Sequence, residues 1–377
     1  MPSPASSTNV IKIISGSRGK FPIKLGLVPD QLAVTIYLHE ETSIAGKIFC
    51  WSYLSEGLIK LDQKEILLTL RINEDEDRNK FPTSPLQVFL LLYKLATQQK
   101  QVDIGGIFKL GARGLFGFPG AGLTFLLNNP TQSILKQPTL SCILLTEEEL
   151  SVAHNINFTR VVGRMGYEQN HYPCLPWNNR QRQGLPLRAM LQESAVKNTA
   201  RLSMKHTACY MEGGETVVLN IPAGLRNLLI KAIAKNTHTK PLCLLTQLLP
   251  GHDGCLAWLP HKNASQIVSA PDSTCEFIGG SFLLLTPGQS SDGATMLEDG
   301  YTVTLKDESW QLFLSSLANG RDLLINGTGG NMNFALVCSA SKAQMEKPFA
   351  HMQMHDEFEK ENVGGFFNRF LQRLKKS

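Results

Sequence analysis

The sequence predicts an α+β fold, with mixed or antiparallel sheets and packed helices arranged as two similar α/β lobes. Three observations predict it. Apolar runs of strand length, some alternating and some continuous, recur along the chain. Between them stand fewer segments whose apolar residues repeat at helical spacing, several opened by proline or a polar cap. In each half a strand feeds a helix through a short turn, although the halves share too little identity to form a repeat.

The elements follow in order. Residues 1–20 are polar and read as a mobile N-terminus. Strand-like runs come at Gln31–Leu38, Ile48–Tyr53 and Glu65–Ile72, the last ending in the acidic turn Asn73–Asp77. Ser84-Pro85 opens a helix with Leu86, Phe89, Leu90 and Tyr93 on one face. Its core, Val88–Ala96, is too short for a membrane span and reads as a buried helix. Leu123–Leu127 and Leu140–Thr146 are strands, and Phe158–Gly166 is a helix closed by Gly163 or Gly166. An irregular stretch, Tyr167–Leu187, leads to a helix near Leu187–Thr199. The second half holds strands at Thr216–Ile221, Leu242–Leu249, Cys255–Leu259, Ser281–Leu285 and Tyr301–Leu305. Pro222 opens one helix, and Asp307 caps another over Glu308–Ala318 that ends at Asn319-Gly320. The expected organisation is a first lobe over 21–185, a second over 186–345, and a linker with an amphipathic basic helix over 346–377.

The bulk numbers narrow the function class. A chain of 377 residues with 42% hydrophobic and 18% charged residues is that of an ordinary folded protein. A net charge of +5 is too mild to argue for nucleic acid, and none is expected as a partner. The first ten residues lack the basic start and apolar run of a signal peptide, so a cytoplasmic location is expected. The eight cysteines are scattered singly, with no C-x-x-C, and read as free buried thiols in a reducing compartment. In that setting the sequons at Asn157, Asn263 and Asn326 carry no weight.

Each motif that could carry chemistry has a simpler reading. The glycine run Gly111–Gly122 precedes a strand and lacks a Gly-Lys-Ser/Thr ending, so it reads as a tight loop, not a phosphate cradle. His171-Tyr172-Pro173-Cys174 and His206-x-x-Cys209 share a spacing that keeps a zinc reading or a Cys–His nucleophile in view. A proline-fixed turn with buried Tyr172 and Cys174 is the plainer account. His351 and His355 lie four apart without the glutamate of a zinc-protease motif, and Gly251-His-Asp-Gly254 reads as a surface turn. No metal, cofactor or catalytic residue is therefore expected.

Two segments read as binding surfaces. Arg180, Arg182 and Arg188, with Trp177 just before them, form the densest basic stretch of the body. They could receive an anionic headgroup or an acidic peptide, or form a solvated face. Near the C-terminus, Phe366, Phe367, Phe370, Leu371 and Leu374 fall on one helical stripe, with Arg369, Arg373, Lys375 and Lys376 around it. A short basic helix edged with aromatics suits an anionic membrane surface, a partner groove or its own domain.

Beyond these single motifs, ordered blocks run from Phe49 to Ile325. They include Trp51-Ser-Tyr-Leu-Ser-Glu-Gly57, Glu65–Leu70, Val88-Phe89, Leu91–Lys94, Gly122–Leu126 and Cys142–Leu145. The most specific is Arg164-Met-Gly-Tyr167 followed by Tyr172-Pro-Cys174 and Arg180-Gln-Arg182. Val218–Pro222, Gly279–Leu283 and Leu297-Glu-Asp-Gly-Tyr-Thr-Val303 complete the set. In this order and spacing the chain resembles the C-terminal domain of the endosomal FYVE-finger adaptors SARA and endofin. The family's FYVE finger and long Smad-binding region have no counterpart in the sequence, and the stretch after Gly184 departs from the pattern. The resemblance implies a non-enzymatic adaptor or scaffold that binds protein partners in endosomal trafficking, cytoplasmic and peripheral on early endosomes. The basic C-terminal helix would substitute for the missing zinc-finger anchor. A second expectation is a bacterial effector that borrows such a domain and is delivered into host cytosol, for which the acidic patch Asp356–Glu361 would serve as a translocation signal.

Overall fold

The computed structural model describes residues 22–43, 46–109, 122–128, 139–204, 206–236, 240–248, 251–262, 264–270 and 273–339. The N-terminal 1–20 segment, nearly all of the glycine run, His351 and His355 lie outside these residues. So do Phe366, Phe367, Arg369, Phe370 and Arg373.

Nineteen strands and six α-helices form three sheets among the described residues, which makes the fold α+β. The first sheet uses β1 (Ile23–Val28), β2 (Leu32–Ser43), β3 (Gly46–Glu56), β4 (Glu65–Arg71), β5 (Ile107–Lys109), β6 (Gly122–Asn128) and β7 (Thr139–Leu145). Their order is β1-β2-β3-β4-β7-β6-β5, antiparallel except for the central β4–β7 pair. Central placement explains the composition of β4, whose residues are buried except Arg71. Against this sheet pack α1 (Leu86–Thr97), α2 (Glu147–Asn155) and α3 (Phe158–Gln169), with Leu86, Phe89, Val152, Val161 and Val162 in one cluster with Trp51 and Tyr53.

After α4 (Arg188–Gln192), the remaining strands are β8 (Ala200–Ser203), β9 (Ala208–Glu212), β10 (Thr216–Pro222), β11 (Leu242–Leu245), β12 (Gly254–Leu259), β13 (Ala264–Ser269) and β14 (Phe277–Gly279). Then come β15 (Phe282–Pro287), β16 (Gly293–Leu297), β17 (Gly300–Leu305), β18 (Leu323–Ile325) and β19 (Asn333–Ser339). They build a seven-stranded sheet, β13-β12-β14-β9-β10-β19-β18, and a five-stranded one, β16-β17-β15-β11-β8. An antiparallel bridge between Ala294 and Met332 joins the two. Between them lies a second core, to which α5 (Arg226–Lys235) contributes Leu229 and Ile233, and α6 (Asp307–Asn319) contributes Trp310, Phe313 and Leu317.

Three helix expectations need correction. The α3 helix is not closed by Gly163 or Gly166; it runs to Gln169 and stops at Asn170, which is left-handed (φ 48°). Both glycines are needed because backbone passes close by. A Cβ at Gly163 would lie 2.8 Å from Leu256 O, and one at Gly166 2.8 Å from His171 O. The helix expected over Leu187–Thr199 stops at Gln192, because the Ala195 N–H is donated to Glu298 Oε1 (2.5 Å). Asp307 lies inside the first turn of α6 and does not cap it; the Lys306 N–H ahead of it is donated to Asp292 Oδ1 (2.8 Å).

Candidate functional site

The basic stretch is woven into the first sheet. The β4 and β7 strands pair only over Glu65–Leu67 and Thr139–Ser141. Where they part, Asn178 fills the gap: its N–H is donated to Thr69 O (2.8 Å), its carbonyl accepts from Arg71 N (3.0 Å), and its side-chain amide bridges Leu144 N and Cys142 O. One asparagine thereby satisfies both ladders, as buried backbone polar groups require. Trp177 beside it is buried against Ile48 and Cys50.

The arginines follow from this placement. Arg180, 5% exposed, donates to Arg71 O (3.1 Å) and pairs with Glu76. Arg182 reaches both carboxylate oxygens of Glu149 (2.5 and 2.6 Å) and Leu144 O (2.8 Å). Glu149 is fully buried and also closes the capping box of α2 with Thr146. Arg188 alone is exposed, at the start of α4. The three arginines therefore do not share one exposed anion-binding face: two pair with carboxylates of the fold, the part-exposed Glu76 and the buried Glu149, and hold the irregular segment to the sheet.

Of the Cys–His candidates, both cysteines are buried and both histidines half-buried. Tyr172-Pro173 is a cis peptide, and Cys174 is buried behind it. Burial pushes the Cys174 thiol up to about 12 and pulls the His171 imidazole down, so neither group carries the charge that a thiolate–imidazolium pair needs at neutral pH. Cys209 faces the second core on β9, and burial holds its thiol well above the ordinary range. His206 instead sits 3.5 Å from Asp103. Among the described residues no three His, Cys, Asp or Glu side chains are grouped to hold a metal ion. The His252-Asp253 pair is a turn: burial lowers His252 to about 4, while Asp253 accepts from the N–H groups of Glu276 and Phe277.

A polar cluster that sequence reading missed joins the two cores. Arg160 of α3 is fully buried and meets the hairpin turn between β16 and β17. Its Nε donates to Asp299 (2.9 and 3.1 Å), and Nη2 to Asp299 and Glu298 (2.5 Å each). Its Nη1 donates to Ser194 Oγ (2.9 Å), whose hydroxyl is donated to Glu298 (2.8 Å). Burial alone would lower the guanidinium pKa, but Asp299 and then Glu298 outweigh it, and the pKa is raised. Around this pair, Asn157 donates to Thr246 O (2.8 Å) and Ser281 O, Arg164 to Trp258 O (3.3 Å), and Gln247 to Ile104 O (3.1 Å). Arg160 and Asp299 are 139 positions apart, so no local pattern could reveal them.

The same junction exposes a difference along the seven-stranded sheet. Residues alternate between its faces, and Cys209, Met211, Val217, Leu219, Phe334, Leu336 and Ile325 point into the second core. The opposite face carries one paired row across all seven strands: Val268, Cys255, Gly279, Tyr210, Val218, Ala335 and Leu324. α3 covers the row at β12, where Gly163 lies on Leu256 and Cys255, and Leu248 covers Gly279. Along β9, β10 and β19 the row stays covered or half-covered, with Tyr210 and Ala335 half-buried and Val218 2% exposed, and it opens at the edge strand β18, where Leu324 is 61% exposed.

Residues 134–347 match the model of the Smad anchor for receptor activation-like, C-terminal family. The chain belongs to this family. The blocks from Trp51 to Leu126 precede the matched residues, while the α3 helix, the Tyr172-Pro173-Cys174 turn and the Glu298-Asp299 hairpin all lie within them. Membership supports a protein-interaction scaffold domain. No curated protein matches the chain. Among solved structures, it is similar to Drosophila Suppressor of Fused, at TM-score 0.36 and 11% identity over 82% of this chain and 92% of that one. It is also similar to a chain of the Sufu–Fu complex, at TM-score 0.36 and 13% identity over 46% of this chain and 87% of that one.

Proposed function

We propose that the chain is a non-enzymatic adaptor that binds protein partners in endosomal membrane trafficking. The observation that carries this reading is the family match over residues 134–347. The geometry agrees with it. Arg180, Arg182 and Arg160 are paired with carboxylates of the fold, and burial raises the Cys174 thiol pKa. Capture on the immobilised full chain from a detergent-solubilised endosomal fraction tests it. The expected result is a defined protein retained in near-stoichiometric yield after lipid is removed. Retention only while membranes stay intact would overturn it in favour of lipid binding.

A second reading rests on the C-terminal sequence. Phe366, Phe367 and Phe370, with Arg369 and Arg373, have the composition of a segment that enters an anionic membrane interface. The full chain should sediment with phosphatidylserine vesicles, and Phe366→Glu/Phe370→Glu should abolish this without altering thermal unfolding. Equal sedimentation of both proteins would sink the idea.

A further inference from the structure

Six of the eight cysteines are buried, and two of them, Cys174 and Cys255, reach one face of α3 from different parts of the chain. We propose that these two form a redox-sensitive staple: under mild oxidation a Cys174–Cys255 disulfide joins the irregular segment of the first half to β12. The staple does not depend on which partner the chain binds.

Three observations bring the two thiols together. The first is the glycine pair of α3. Gly163 and Gly166 are three residues apart, so Cβ positions there would lie about 5–6 Å apart on one helix face. A Cβ at Gly163 would be 3.6 Å from Cys255 Sγ, and one at Gly166 would be 3.1 Å from the Pro173 carbonyl carbon, the atom bonded to Cys174 N. β12 and the Tyr172–Cys174 turn therefore press on adjacent sites of one helix. Their spacing is of the order that a disulfide spans between Cα atoms, roughly 4.4–6.8 Å.

The second observation is burial in a common cluster. Cys174 is 7% exposed and Cys255 is fully buried, and both belong to the first core, although Cys255 sits on a strand of the second sheet. The third is electrostatic. Burial, then Asp299 and then Cys174 raise the Cys255 thiol, so charge on one sulfur is felt at the other. Burial and then Cys255 likewise raise the Tyr172 phenol. No second cysteine acts in this way on Cys50, Cys142, Cys209 or Cys243, the other buried thiols.

The two sulfurs have different roles. Cys174 is the less buried, and Arg182 favours its thiolate against the effect of burial, so it is oxidised first. Its thiolate attacks hydrogen peroxide: an S–O bond forms, the O–O bond breaks, and the departing hydroxide takes up the thiol proton and leaves as water. The Cys255 sulfur then attacks the sulfenic sulfur. The S–S bond forms, the S–O bond breaks, and a second water carries away the Cys255 proton. Two cysteine sulfurs give up two electrons in all, and one peroxide accepts them. Burial keeps the first step slow, so the staple answers sustained oxidation. Once formed, it ties the turn to the strand beneath α3 and limits how far the two cores can part.

The test oxidises the full chain carrying Cys275→Ser and Cys338→Ser, which removes the two half-buried thiols, with hydrogen peroxide in native buffer. Peptides are then mapped by mass spectrometry without reductant. The expected result is one cross-link, Cys174 to Cys255, with a urea midpoint that rises and returns on adding dithiothreitol. With Cys255→Ala added, Cys174 should stop at the sulfenic acid and give at least fivefold more dimedone adduct. Cys255→Ser takes its place if the alanine chain lacks native circular dichroism. Cross-links that involve another cysteine overturn the proposal. So does an unchanged dimedone yield at Cys174, or a cross-link that lowers the midpoint, since the sulfurs would then meet only in a distorted fold. Both thiols staying reduced in the folded chain overturns it as well.

Discussion

The two ends of the seven-stranded sheet present the same face to different surroundings. At the β12–β13 end a helix from the first half of the chain lies on it, and the contact is so close that only glycine fits at position 163. At the β18–β19 end Leu324 stands in water. The strands themselves do not explain the contrast, since one continuous paired row runs between the ends. What differs is what the rest of the fold places above them. α3 is fixed over β12 by Arg160 on Asp299 and Glu298, by Asn157 on Thr246 and Ser281, and by Arg164 on Trp258. These polar contacts set the register in which apolar surfaces meet, and the covered end exists because of them.

Removing the lock should give the largest effect. Arg160→Ala leaves Asp299 and Glu298 buried without their cation, which typically costs about 3–5 kcal/mol. Urea denaturation should show a large fall in midpoint, with the loss partly recovered when Asp299→Asn and Glu298→Gln are added, because the uncompensated charges then disappear. An Arg160→Ala protein of unchanged midpoint would mean that the covered end is held by apolar packing alone.

The next effect in size comes from the close approach itself. Glycine inside a helix is ordinarily worse than alanine by about 1 kcal/mol, so Gly163→Ala would stabilise a free-standing α3. Here the added methyl would sit 2.8 Å from Leu256 O, and overpacking against backbone costs about 1–3 kcal/mol. Net destabilisation is expected. A stabilised variant would show that α3 can lift from β12, and the two ends would then differ less than their geometry implies.

How far the sequence disclosed this arrangement depends on the range of each interaction. Local pattern found α1, α5 and α6, the body of α3, and the strands β2, β3, β4, β6, β7, β10, β11, β12, β15 and β17, because their periodicity or apolar run is self-contained. It gave no sign of β1, β5, β8, β9, β13, β14, β16, β18 or β19. Several of these are three to five residues long, with exposed or mixed composition, and are strands only because a neighbour supplies the ladder. The candidate sites divide in the same way. Tyr172, Pro173 and Cys174 were legible as a proline-fixed turn. Arg180 and Arg182 were visible as charge, but their partners Glu76 and Glu149 are 104 and 33 residues away. Arg160 sat unnoticed in a helix read for its apolar face, although Glu298-Asp299 belongs to one of the blocks that carry the family resemblance.

The smallest effect on stability is expected at the open end, where the comparison is sharpest. Leu324 lies on an edge strand of three residues, points away from the second core and is 61% exposed. A substitution there removes little buried area, and such surface changes usually stay within about ±0.5 kcal/mol. Lysine is also a residue that natural edge strands use to discourage pairing with other chains. Leu324→Lys should therefore unfold at nearly the wild-type urea concentration and with the same slope. If it instead costs as much as Gly163→Ala, Leu324 is covered in solution.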